Sequence, residues 1–178
     1  DPSQVVFEGA RSGTGAFLES QGGHAPLFSV LYQRPGQLVV GNGLTQGAAA
    51  QSCVLRVQGR DLRIEREAAG VARFGFEELC ARPLGATDYL AIAGRFHTVL
   101  LEDVPAMTAD KRNEATRFVT LIDALYEAKA KLVMSAAAEP SQLYPAGDGN
   151  FEFERTASRL IEMRSEAYLS ADRIELVD

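Results

Sequence analysis

Several groups of residues have the types and spacing to do chemistry. The run FHTVLLEDVP, residues 96–105, ends an apolar stretch in two carboxylates, Glu102 and Asp103, and Pro105 closes it. A buried strand that delivers acid to the edge of a sheet can hold Mg²⁺ beside a phosphate, or orient a water. The same pattern also marks a plain strand end reaching solvent. Ser135 closes a second apolar run, KLVMS. A hydroxyl there can sense a phosphate or a water, although any small residue suits a strand turning into a loop. Arg155 and Arg159 stand four residues apart and so project from one helical face. Two forked guanidinium groups suit a phosphate. The alternative is ion pairing along the same stripe with Glu162 and Glu166.

Other groups fall short of the chemistry they suggest. In GARSGTGAFL, residues 9–18, Gly13, Thr14 and Gly15 fall where a phosphate loop needs them. The position of the phosphate-binding lysine is then Ala16, and that of the Mg²⁺-binding hydroxyl is Phe17. The segment reads as a glycine-rich turn. Cys53 and Cys80 match no metal spacing and are expected to be reduced, partly buried thiols of a cytosolic protein. His24 and His97 are too few for a multi-histidine metal site, and nothing points to a histidine-dependent triad.

Composition bounds the answer. A chain of 178 residues can bury one proper core, alone or with a small lobe. No stretch approaches the roughly 18 apolar residues of a membrane span. The start, DPSQVVFEG, lacks the basic and apolar regions of a signal peptide. The missing initiator Met predicts a trimmed or partial chain. A net charge of −6 supplies no general attraction to nucleic acid or anionic membrane, so neither is an expected partner.

These residues must be positioned by elements that the pattern outlines. PLFSVLYQ and QLVVGNG, with Pro35-Gly36 between them, read as a hairpin, and LTQGAAAQS (44–52) as a small-residue linker. VLRVQGRDLRIER (54–66) alternates as a second hairpin with Gly59 in its turn, one face buried and the Arg-rich face wet. FEELCAR predicts a short helix stopped before Pro83. Thr87 or Asp88 can cap a helix through ATDYLAIAGR. FHTVLLEDV and KLVMSAA read as strands, joined by a long helix that begins at Thr108 and repeats Phe118, Leu121, Ile122 and Leu125. PAGDGN reads as a loop, FEFERTASRLIEMRSEAYL (151–169) as a further helix, and RIELV as a last short strand. Strand, helix, strand, helix implies a parallel sheet with right-handed crossovers, whose carboxyl ends usually bind ligands. Glu102, Asp103 and Ser135 fall at such ends.

From about residue 54 onward, the stretches VQGRDLRI, GVARFGFEELCARPLGATDYLAIAGRFHTVLLEDVPAM, NEATRFVTLIDALYEAKAKLVMSAAAEPSQLYPAGDG and FEFERTASRLIEMRSEAYL resemble the ZapE family, AAA+-type ATPases of bacteria and mitochondria. They match the carboxyl-terminal half of such proteins, in family order. The phosphate loop, the principal acidic strand and its sensor belong to the amino-terminal half and are not found here. The resemblance implies an α/β fold with a parallel P-loop-NTPase-like sheet over about residues 74–178, beside an amino-terminal antiparallel hairpin lobe. It implies a division into residues 1–52, of unassigned role, and residues 53–178, the ATPase portion. It implies a cytoplasmic protein using ATP and Mg²⁺ when intact, with neither expected on this chain alone. It implies a protein partner in cell division or protein quality control, with homo-oligomerisation open. By this resemblance FHTVLLEDVP is the second acidic-ended strand and not the principal Mg²⁺ strand. Arg159 and Arg155, following the second strand on one helical face, are candidate γ-phosphate arginines, and Ser135, at a strand end, is a candidate nucleotide contact; the resemblance locates the segment around Arg159 and not the contact. A non-catalytic interaction module is the competing reading, and a Mg²⁺-dependent hydrolase built on Glu102 and Asp103 needs more acids than the cluster offers.

Overall fold

The computed structural model describes residues 51–68, 70–144 and 150–174. They form one five-stranded sheet in the order β1-β2-β3-β4-β5, with helices packed on it. β1 (Gln51–Val57) and β2 (Arg60–Ala68) are the antiparallel hairpin expected from alternation. Gln58 and Gly59 make its turn with φ of 47° and 79°. Two successive positive φ values suit the twist of the strands, and Gly59 has no Cβ to oppose them. Leu62 and Ile64 are buried, whereas Arg56 and Arg63 are exposed and pair with Asp61 and Glu65.

The hairpin extends the main sheet instead of standing apart from it. β2 pairs antiparallel with β3 (Val71–Gly75), a strand that periodicity does not reveal. β3 has only five residues, four of them buried, so it shows no alternation to read. The small-residue linker also ends sooner than expected, because Gln51 and Ser52 already belong to β1. The earlier hairpin (26–43), the glycine-rich turn at 9–18 and the loop at 145–149 lie outside the described residues.

β3, β4 (Thr98–Val104) and β5 (Lys131–Ala136) are parallel neighbours. α1 (Ala86–Arg95) connects β3 to β4, and α2 (Arg112–Glu127) connects β4 to β5. Strands taken in sequential order, with right-handed crossovers, place both helices on the same face. Burial agrees: Tyr89, Ile92, Phe118, Leu121 and Leu125 share one core with Val99, Leu101, Leu132 and Met134. The other face of the parallel strands carries Val71, Leu100 and Val133, with Leu169 packed on them. The architecture is therefore α/β, a mixed sheet with a parallel P-loop-NTPase-like portion.

Several local expectations change. α1 is capped by Gly85 and not by Thr87 or Asp88. Asp88 lies three residues inside the cap and reaches back, accepting the Gly85 N–H at 2.8 Å. Buried there, it also accepts from Arg60 and ties the hairpin turn to α1. The FEELCAR helix is one π-helical turn, Glu77–Ala81, and a 3₁₀ turn at Ala109–Lys111 leads into α2. The helix expected over 151–169 is two, α3 (Asn150–Glu162) and α4 (Glu166–Ser170). Ser165 caps α4 by accepting the Tyr168 N–H, and the Tyr168 hydroxyl donates to the carbonyls of Leu125 and Ala130. Burying that ring turns the chain and ends α3. Arg173 and Ile174 lie outside any strand, and the rest of RIELV is outside the described residues. Arg173 instead donates to the Gly94 carbonyl near the end of α1.

Gly70 has φ of +80°, and a Cβ there would stand 2.6 Å from His97 Cδ2, whereas a Cβ on Gly59 would meet nothing within 4 Å. Both alanine variants pay the left-handed backbone cost, about 1 kcal/mol. Gly70→Ala should lose clearly more than Gly59→Ala in chemical denaturation. Equal losses would contradict the close approach of His97 to the β3 entry.

Candidate functional site

The carboxyl end of β4 is closed by its own neighbours. The Arg73 side chain, from β3, donates Nε to Glu102 Oε2 and Nη2 to Glu102 Oε1, both at 2.8 Å. The two side chains are only 8% and 19% exposed. Both Glu102 oxygens are thus taken by a fixed cation, in the fork geometry that makes such pairs strong and directional. Asp103 bulges out of the ladder with β5 and holds a left-handed φ of 58°. Its N–H donates to Ser135 Oγ at 2.9 Å. Ser135 therefore braces the bulge across two strand ends. On the β3 side, Glu78 accepts from Arg66 at 2.8 Å and from the Gly75 N–H.

These residues do not fit a Mg²⁺-nucleotide. The carboxylate best placed for a metal already carries a guanidinium, and no cluster of three or more His, Cys, Asp or Glu side chains that could hold a metal occurs among the described residues. The topology agrees. Ligands of open α/β sheets bind where the strand order reverses. β3, β4 and β5 follow in sequence without a reversal. The thiols offer no nucleophile: Cys80 is fully buried, and burial pushes its thiol up to about 12. Burial also raises the half-buried Cys53 thiol.

Arg155 and Arg159 form a second, separate group. α3 lies beside α2, with Phe153 stacked on Phe118 at 5.9 Å between ring centres. Both arginines reach one acid on α2, Asp123. Arg155 Nη2 donates to Oδ2 at 2.9 Å, and Arg159 Nη1 donates to Oδ1. The Arg159 guanidinium also lies over the Tyr126 ring, 5.0 Å from its centre. The expected partners are thus replaced. Glu162 accepts the Tyr126 hydroxyl at 2.7 Å, and Glu166 falls on α4. Asp123 was invisible to spacing along α3 because it comes from another helix. Its one signal is a carboxylate beside Ile122 and Leu125, on a helix whose other half faces the core. α2 leaves the carboxyl end of β4 and descends toward the start of β5, so Asp123, in its second half, sits well down the layer. The structure joins Arg155 to Arg159, and Ser135 to Asp103, but it does not join these two groups.

Removing one member of the Arg73–Glu102 fork strands a largely buried charge. Arg73→Met and Glu102→Leu should each cost about 3 kcal/mol, and the double variant should recover most of that loss. Urea denaturation measures it. Additive losses would mean that the fork does not bind the two strand ends together.

With this geometry in hand, similarity to known proteins becomes informative. The model of the AFG1-like ATPase family matches residues 36–172. The chain is 38% identical over 134 residues to cell division protein ZapE of Escherichia coli (strain K12), covering 74% of this chain and 35% of that protein. It is 36% identical over 153 residues to lactation elevated protein 1 homolog B of Danio rerio, covering 67% of this chain and 30% of that protein. An uncharacterized protein of Schizosaccharomyces pombe, C115.02c, is 29% identical over 143 residues, covering 65% and 32%. The chain spans about a third of the length of these curated relatives. No solved structure matches it. The matched stretch takes in every described strand and helix, and the chain belongs to the AFG1-like ATPase family.

Proposed function

We propose that this chain is the carboxyl-terminal portion of an ATPase whose ATP and Mg²⁺ are held mainly by residues beyond it. In this reading residues 53–178 pack against and complete the nucleotide-binding portion, and residues 1–52 carry no assigned role, although the family match already begins at residue 36. The observation that carries the reading is the closed end of the parallel strands. Glu102 is consumed by Arg73, Ser135 by the Asp103 backbone, and the strand order has no reversal. A family of ATPases, and a strand end whose Glu102 is already paired to Arg73, together favour a nucleotide centre built elsewhere. Ser135 then acts by holding the Asp103 bulge and not by touching phosphate.

Arg159 and Arg155 are the residues through which this portion would act on a phosphate. Arginine stays charged and forks onto oxyanions. One placed at a subunit boundary can reach a nucleotide bound by the neighbouring copy, so the reading includes a homo-oligomer. The proposed partner is a protein, by similarity to a cell division protein. The proposed compartment is the cytoplasm. No helix among the described residues is long and apolar enough to cross a membrane. The competing reading, a non-catalytic interaction module, draws on Ala16 and Phe17 standing where a phosphate loop needs lysine and hydroxyl.

The test compares Arg159→Ala and Arg155→Ala with the parent in the intact protein that includes the phosphate-binding portion. Turnover should fall on the order of a thousandfold for the arginine that meets the transition state, far more than the modest loss of melting temperature from unpairing Asp123 can account for. Normal turnover in both variants would leave the interaction module as the function.

A further inference from the structure

We infer that Asp123 is the positioning residue of the arginine pair. It holds Arg159 and Arg155 together as one two-pronged receptor for a phosphate oxyanion. The inference rests on the arginine reading above and adds a residue from a different helix. Two guanidinium groups four residues apart on α3 repel each other and, left alone, spread into solvent. Long arginine side chains also lose much rotamer freedom when ordered. Asp123 answers both problems. One oxygen takes Arg155 Nη2 and the other takes Arg159 Nη1, so a single carboxylate draws the two heads together. Glu162, bonded to the Tyr126 hydroxyl, adds a second negative charge, and Lys129, 4.4 Å from the centre of the same ring, adds a third positive one, so the group stays net positive, as an incoming oxyanion requires.

The remaining contacts give each arginine a different task. The Arg159 side chain is 20% exposed and lies over Tyr126, whose own position is fixed by the hydroxyl bond to Glu162 and by stacking on Tyr168 at 5.6 Å. Arg155 is 57% exposed and faces solvent. One arginine is ordered by a ring and a carboxylate, and the other is held at the surface by the carboxylate alone. Each gives Asp123 a single nitrogen, leaving the opposite edge of each fork available to a ligand.

Two measurements test this. In the first, the arginine Nε–Hε resonances of this polypeptide are recorded by NMR, without any nucleotide. Arg159 should give a dispersed, exchange-protected signal that collapses onto those of exposed arginines in Asp123→Asn. A signal that stays dispersed in the variant would overturn the inference, because Asp123 would then order nothing. In the second, ATP turnover of the intact protein is measured for Asp123→Asn, Arg159→Ala and the double variant. A residue acting through another is silent once that other is gone. Asp123→Asn should lower kcat by roughly ten- to a hundredfold with KM little changed, by analogy with the supports of other reacting groups. It should have no further effect in the Arg159→Ala background. A further drop in that background would mean a general structural role. A rise in kcat would mean that the acid restrains the arginines and competes with phosphate. Either result overturns the inference. If Arg159→Ala alone turns over normally, the arginine reading fails first and Asp123 falls with it. If Arg159→Ala is impaired and Asp123→Asn is normal, only the positioning role fails.

Discussion

Parallel strands taken in sequential order can place their right-handed crossovers on one face only. Most of this structure depends on that constraint. β3, β4 and β5 run in sequence, so α1 and α2 both settle on the same side. Their apolar stripes meet Val99, Leu101, Leu132 and Met134 there and make the main core. α3 packs beside α2 and adds Phe153 and Leu160 to that same core. That is how Asp123, on the flank of α2, comes to face Arg155 and Arg159. The constraint also decides what is missing. A crevice needs neighbouring connections that leave toward opposite faces, and no such pair occurs among the described strands.

The carboxyl ends of the strands follow from this. Without a crevice to fill, polar groups carried there must find partners among themselves. Arg73 and Glu102 do so across β3 and β4, and Asp103 and Ser135 across β4 and β5. An acidic-ended apolar strand is thus a strand end in an ATPase-type sheet without being a metal site. The difference lies in a neighbour thirty residues away in sequence, and the strand's own letters do not encode it.

Much of the fold was legible in the sequence. The alternation of Leu62 and Ile64, the helical spacing from Phe118 to Leu125 and the two apolar runs at 96–104 and 131–137 each name an element correctly, to within two residues at its ends, and a crossover helix between such runs forces parallel pairing. What escaped shares one cause. β3 is too short and too evenly buried to show a period. Gly85 caps α1 because Asp88 serves it from inside the helix. The break between α3 and α4 comes from burying the Tyr168 ring, which is a tertiary event. At the candidate sites the pairing of Arg155 with Arg159 on one face was legible, and their shared acid was not. Periodicity reports what an element does with the core. It says little about which charged side chain of another element will be opposite.

On the proposed reading, residues beyond this chain complete the nucleotide centre. Calorimetric titration of the polypeptide with ATP and Mg²⁺ tests it most directly. With Glu102 taken by Arg73, and Ala16 and Phe17 in place of lysine and hydroxyl, the described residues offer no metal site, and the Arg155–Arg159 pair supplies a phosphate contact without one, so no binding in the micromolar range should be seen. Micromolar binding would contradict the account and would return Glu102 and Asp103 to consideration as a metal site.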